Sequence, residues 1–194
     1  MECPRSHPPP HDGPGYDATT KFLHWMTAAL IITQFGLGEL WDVWPDHSPT
    51  HVMMKSLHYS LGVVLAAVIL AHILWRAGWG RHLPPAGIGG MDRVARGVHL
   101  LLLALIVGMV LSGLGRRWVR GRGIEFFWLF KIPPLVTLDP TWRSALQAFH
   151  VWGAWVIIAV AGVHAAAALF HHFVIRDGVL RRMLPDSRQE SARR

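Results

Sequence analysis

Cysteine is almost missing from this sequence: Cys3 stands alone in 194 residues. A disulfide framework, a thiolate-rich metal or iron–sulfur site, and covalent haem attachment through C-x-x-C-H are therefore all excluded. No cleavable leader is expected either, because residues 1–19 are polar and Pro-rich (Pro8-Pro9-Pro10, Gly13-Pro14-Gly15), with neither an n-region nor an h-region. The first apolar stretch is then expected to act as its own insertion signal. Residues 1–19 cannot bury enough surface to offset backbone ordering and are expected to form a disordered tail, with His7 and His11 solvated. Apolar surface, by contrast, is plentiful. Hydrophobic residues make up 52% of the chain, with ten Trp, and they fall into four blocks of roughly spanning length, which argues against an ordinary soluble fold.

Those blocks predict membrane helices over about 20–40, 57–76, 97–114 and 149–173. The expected fold is an all-α membrane protein, a four-transmembrane-helix bundle over residues 20–185, followed by a basic tail at 186–194. Residues 42–56 read as a short, turn-rich loop with Pro45 and Pro49. Residues 77–96, with Pro84-Pro85 and Gly87 through Gly90, read as an irregular one. The longest loop, 115–147, mixes Arg116, Arg117, Arg120, Arg122, Lys131 and Arg143 with Trp118, Phe126, Phe127, Trp128 and Phe130. Its apolar groups predict a loop folded over the membrane surface. Arg176-Asp177-Gly178 stops the fourth helix, and 179–194 is expected to form a short basic interfacial segment. Basic residues near the spans are in excess on the side of the N-terminal tail, the second loop and the C-terminal tail, so both termini are expected to be cytoplasmic.

The fourth block organises the rest. It carries His150 and His164, and fourteen positions return an α-helix to within about 40° of its starting face, about 21 Å further along. Imidazole at membrane depth is costly and is usually retained for a task. Two same-face histidines on an apolar helix best fit axial coordination of two haem irons, one above the other. Small residues at i+3 and i+4 (Gly153 and Ala154; Ala167 and Ala168) offer room for a porphyrin, or simply let helices approach closely. His24 has a similar shelf in Thr27 and Ala28, and His58 has Gly62. With both termini inside, His58 and His150 lie near the outer face, and His24 and His164 towards the inner one. The expected bis-histidine pairs are His58 with His150 and His24 with His164. A rival assignment pairs His72 with His164, since His58 and His72 share the fourteen-residue spacing. Trp75, Arg76, Val68 and Ile69 crowd His72, which favours the first assignment and leaves His72 as a buried polar neighbour. His99, at the mouth of the third block and followed by leucines, belongs to what reads chiefly as a packing helix.

Leu23-His24-Trp25 opening the first block, Leu57-His58 opening the second, and the stretch from His164 through His171-His172 to Asp177 and Arg182-Met183-Leu184-Pro185 resemble the bacterial cytochrome b561 family. The segment His164-Ala165-Ala166-Ala167-Ala168-Leu169-Phe170-His171-His172 is especially similar to its superoxide-oxidising branch. The resemblance covers residues 20–185 and departs at His72, where an Arg is expected. It implies two non-covalent b haems held by His24, His58, His150 and His164 in a bacterial inner membrane. It further implies electron transfer from superoxide at the outer face to ubiquinone near the inner haem. Arg116, Arg117, Arg120, Arg122 and Lys131 would then steer the anion, and His171, His172 and Asp177 are the quinone candidates. An electron-relay or anchor subunit serving a separate dehydrogenase, hydrogenase or periplasmic redox protein is the alternative, and a haem-free transporter or metal-binding membrane protein is the third.

Overall fold

The computed structural model of the chain describes residues 15–83 and 90–184. The expectations placed on residues 1–14, 84–89 and 185–194 lie outside the described residues.

Helix α1 (Ala18–Leu40) starts where the Asp17 carboxylate accepts from Thr20 N, satisfying a backbone donor left free by the first turn. A single 3₁₀ turn, Trp41–Val43, leads to α2 (Pro49–Gly78). Ser48 caps α2, and Pro49 follows at the first helical position, where its missing N–H costs nothing. The second half of the predicted 42–56 loop is therefore helix. Helix α3 spans Gly90–Trp118, and α4 spans Arg143–Phe170, continuing as a π turn over His171–Ile175. Arg176 ends it in the left-handed region (φ 59°), with Gly178 (φ 75°) just beyond, as the Arg-Asp-Gly signal anticipated.

The helices outrun the apolar blocks that predict them. At 1.5 Å per residue, α2 to α4 are roughly 42–45 Å long against a hydrocarbon core of about 30 Å, so their ends reach into the headgroup layers. Among the described residues three helices are long and apolar enough to cross a membrane, and α1 is not one of them. Its 23 residues suffice in length, but His24, Gln34 and several threonines dilute its apolar character. The first block is thus a less apolar helix than the expected four spans implied.

Between α3 and α4 the chain forms an antiparallel hairpin, β1 (Ile124–Phe126) with β2 (Phe130–Ile132), in the register Glu125 opposite Lys131. Phe127 (φ 45°) and Trp128 (φ 60°) both occupy the left-handed region at its turn. Bulky residues rarely do so, and it is surrounding contacts that hold them there. Ser60, wholly buried on α2, supplies those contacts. Its Oγ accepts from Phe127 N at 2.8 Å and lies 2.9 and 3.1 Å from the carbonyls of Ser56 and Glu125. The long loop is accordingly folded onto α2.

Helices α1 and α2 pack along one another, as do α3 and α4, whereas the two hairpins meet more loosely. Leu30, Leu65, Ile69, Ile106 and Ile157 form one buried apolar cluster drawn from all four helices. Ile157 sits seven residues from both His150 and His164. The apolar cluster is therefore a plug halfway between two histidine layers.

Two imidazole layers as candidate cofactor sites

The seam between the hairpins is bridged at two levels by histidine pairs. His58 on α2 and His150 on α4 have ring centres 6.2 Å apart, and His24 on α1 and His164 on α4 have theirs 6.4 Å apart. A metal ion about 2 Å from each of two imidazole nitrogens, each roughly 1 Å from its own ring centre, would set those centres about 6 Å apart. Both separations fit an iron held between the rings. Along α4 the two levels are about 21 Å apart.

At the first level, hydrogen bonds orient both rings. His58 Nδ1 lies 3.2 Å from the backbone oxygen of Gln34, which can only accept, so Nδ1 carries the hydrogen. His150 Nδ1 lies 3.0 Å from Ser112 Oγ. Ser112 Oγ also lies 3.0 Å from the Met109 carbonyl, so a His150 that ligates through Nε2 can donate Nδ1–H to Ser112 while Ser112 donates to that carbonyl. In each ring Nε2 then keeps the lone pair that a metal needs. Glycines give the rings their space. A Cβ at Gly113 would lie 3.1 Å from His150 Cε1, and one at Gly38 would lie 3.6 Å from His58 Cε1. Gly153 and Gly62, read from sequence as porphyrin shelves, face Met109 and Gln34 instead and serve helix packing inside each hairpin.

Arg116 lies close enough to act electrostatically on both His58 and His150. Arg117 lays its guanidinium 4.5 Å over the Tyr59 ring and donates to the Gly123 carbonyl. Buried side-chain nitrogens and oxygens without a partner, among the described residues, all belong to this level: Gln34 Oε1, Ser56 Oγ, Arg116 Nε, Arg117 Nε and Trp118 Nε1. Four of the five can donate, a set that suits an anionic group such as a haem propionate. The remaining predicted steering residues, Arg120, Arg122 and Lys131, are exposed.

The second level differs in kind. No hydrogen bond among the described residues orients His24 or His164. Instead His99 on α3 brings its ring centre within 5.0 Å of His164, nearer than His24, and His72 acts on His24 electrostatically. Sequence reading placed His99 in a packing helix, because the leucines after it concealed the face it shares with the seam. His72 stays a neighbour, beside Arg76.

Beneath this level the chain ends are tied together. Asp17 accepts from Thr20, from Trp75 Nε1 (3.0 Å) and from Arg81 N (3.0 Å), while Tyr16 N donates to the Arg182 carbonyl and Trp25 Nε1 to that of Met183. Partial burial pushes the Asp17 carboxyl up, but its hydrogen bonds outweigh that and hold it well below the usual range. Residues 15–19 are thus part of the bundle instead of its tail. Of the quinone candidates, His171 and Asp177 are paired by a short hydrogen bond. Burial pushes the Asp177 carboxyl up, yet the bonds from His171 and Val179 N leave it depressed. His172 is turned elsewhere, into a cleft of about 230 Å³ with Phe173, Arg176, Gly178 and Arg181.

Comparison with known proteins bears on the same residues. A family model described as prokaryotic cytochrome b561 matches residues 15–186. Cytochrome b561 homolog 2 of Escherichia coli K12 is 30% identical over 184 residues, covering 89% of this chain and 92% of its own. Cytochrome b561 homolog 1 of the same organism is 25% identical, covering 88% and 97%. A protein of Yersinia pestis named probable superoxide oxidase CybB is 28% identical, covering 86% and 93%.

Proposed function

Because the chain belongs to the prokaryotic cytochrome b561 family, and is therefore a multi-pass membrane cytochrome of the haem b type, we propose that it holds two haems. His58 and His150 are the axial ligands of one, and His24 and His164 of the other. The observation that carries this reading is the pair of ring-centre separations, 6.2 and 6.4 Å, at two levels of one seam. When bound, the haems supply one-electron ferric/ferrous couples at both ends of the bundle. Imidazoles on both faces of each site leave no open position for dioxygen or peroxide, so the chemistry is outer-sphere.

The finer reaction is oxidation of superoxide with reduction of ubiquinone. Two superoxide ions release two electrons and become two dioxygen molecules; with two protons, those electrons convert one quinone to quinol. The superoxide end is assigned to His58 and His150, at the outer face, with both termini cytoplasmic. Arg116 and Arg117 hold fixed positive charge at that layer, and Arg120, Arg122 and Lys131 extend it outwards, which raises the encounter rate of a small anion. At the other end, His171 offers a donor at the start of a π turn, a feature frequent at functional sites, and Asp177, just past its end, offers a carboxylate. Similarity to the Yersinia pestis protein named probable superoxide oxidase supports the donor.

Mixing the ferric protein with a superoxide source, with and without superoxide dismutase, tests this. Reduction of the Soret and α bands that dismutase abolishes, followed by reoxidation on adding ubiquinone, is expected. Bands that superoxide leaves unchanged contradict it. A relay role for a separate redox subunit is favoured by one feature, the exposed Trp128, Leu129 and Phe130 at the hairpin tip beside the arginine cluster. Stable copurification of such a partner, with little activity of the chain alone, would favour that reading.

A further inference from the structure

We infer that Ser112 is a positioning residue that lowers the reduction potential of the haem at the His58/His150 level, an inference that rests on the two-haem reading above. The hydroxyl lies between the Met109 carbonyl and His150 Nδ1, 3.0 Å from each. With Nε2 holding the iron, neutral His150 keeps its hydrogen on Nδ1, so Ser112 Oγ accepts from Nδ1–H and gives its own hydrogen to the Met109 carbonyl. An acceptor on the far nitrogen of a metal-bound imidazole fixes its rotation and raises its basicity. A more basic ligand favours the ferric over the ferrous state, so the potential falls.

The setting makes this contact deliberate in its geometry. Ser112 is 4% exposed on a helix otherwise apolar at that depth, and Gly113 beside it clears the space in which the ring lies. On the opposite ring the Gln34 backbone oxygen does the same for His58 Nδ1, and the Gln34 side chain holds the His58 carbonyl at 3.0 Å. Ser112 is the side-chain member of this set, so it can be changed without altering the backbone. His24 and His164 have no equivalent acceptor among the described residues, so the effect belongs to one level only.

Potentiometric titration of the purified wild type and of Ser112→Ala, followed in the α band, tests the inference, with a pyridine haemochrome count on each. Wild type with two haems per chain is the precondition, and a lower count overturns the two-haem reading instead. Given two haems, Ser112→Ala is expected to keep both and to raise one midpoint while leaving the other in place. The expected size is about a threefold change in the oxidised-to-reduced ratio at fixed ambient potential, roughly 30 mV at 59 mV per tenfold. Ser112→Thr, which keeps the hydroxyl, should restore the wild-type value. Unchanged midpoints in Ser112→Ala, or equal movement of both, overturn the inference. If the alanine variant loses a haem, Ser112→Cys decides, since its thiol is a weaker acceptor. A single raised midpoint supports the inference, and unmoved midpoints defeat it.

Discussion

The two imidazole layers share a residue type, a ring separation and one helix, yet they are held by opposite means. At the His58/His150 level, hydrogen bonds to the Gln34 carbonyl and to Ser112 Oγ orient both rings, and glycines on α1 and α3 make room for them. At the His24/His164 level the rings have no such bonds among the described residues, and two further histidines, His99 and His72, crowd in. The lesson is that similar histidine pairs can be given different surroundings within one bundle: one layer is hydrogen-bonded and beside half-buried arginines, the other lies beside further imidazoles. A chain that moves electrons in one direction needs such a difference between its ends.

The largest test of this contrast removes one ligand at a time. His150→Ala is expected to lose the haem of its own level and His164→Ala the other, each halving the pyridine haemochrome count. Full retention of both haems in either variant would break the assignment. Next in size is the difference between two glycines. Gly113→Ala pushes a methyl group to 3.1 Å from His150 and should lower occupancy or shift the spectrum of that level alone, whereas Gly38→Ala, at 3.6 Å from His58, should be tolerated. Equal losses in the two variants would remove the steric distinction drawn here.

Ser60→Ala sharpens the comparison from outside. It strands the Phe127 N–H and frees the hairpin over the His58/His150 level, at a cost of about 1–3 kcal/mol. Thermal unfolding in detergent should register that loss, and limited proteolysis should cut within 124–132 while the His24/His164 spectrum stays as in wild type. The smallest effect concerns the other end and acid. The Asp17 carboxyl titrates lower when folded than its ordinary value of 3.8. Its contribution is therefore fully present above that value and is lost as pH falls below it. Asp17→Asn should lower the neutral melting temperature by a few degrees, flatten the acid limb, and converge with wild type at the lowest pH. An acid limb as steep as that of wild type would show that the strap under α1 and α2 does not depend on this carboxylate.

Much of this was legible in the sequence because periodicity is a one-dimensional signal. The fourteen-residue spacing of His150 and His164 on an apolar run gives their shared face, chain direction puts His58 at the level of His150 and both His24 and His72 at that of His164, and the crowding around His72 favours His24. The structure brings those four together as paired. What escaped was set by tertiary contact. The hairpin carries Phe127-Trp128 where such a turn usually has Asn and Gly, so no local cue announced it; Ser60 on another element holds it. His99 escaped because its leucine neighbours resemble a packing face, and Ser112 because one serine in an apolar helix signals nothing until its partner is known. Gly153 was misread for the converse reason, since a small residue beside a histidine can equally clear space for a methionine.

The most direct test is the haem stoichiometry and spin state of the purified full chain, by pyridine haemochrome against protein concentration together with low-temperature EPR of the ferric form. Two haems per chain, both low-spin as bis-imidazole ligation requires, is the predicted result. A single haem, or a high-spin signal from either site, would contradict it.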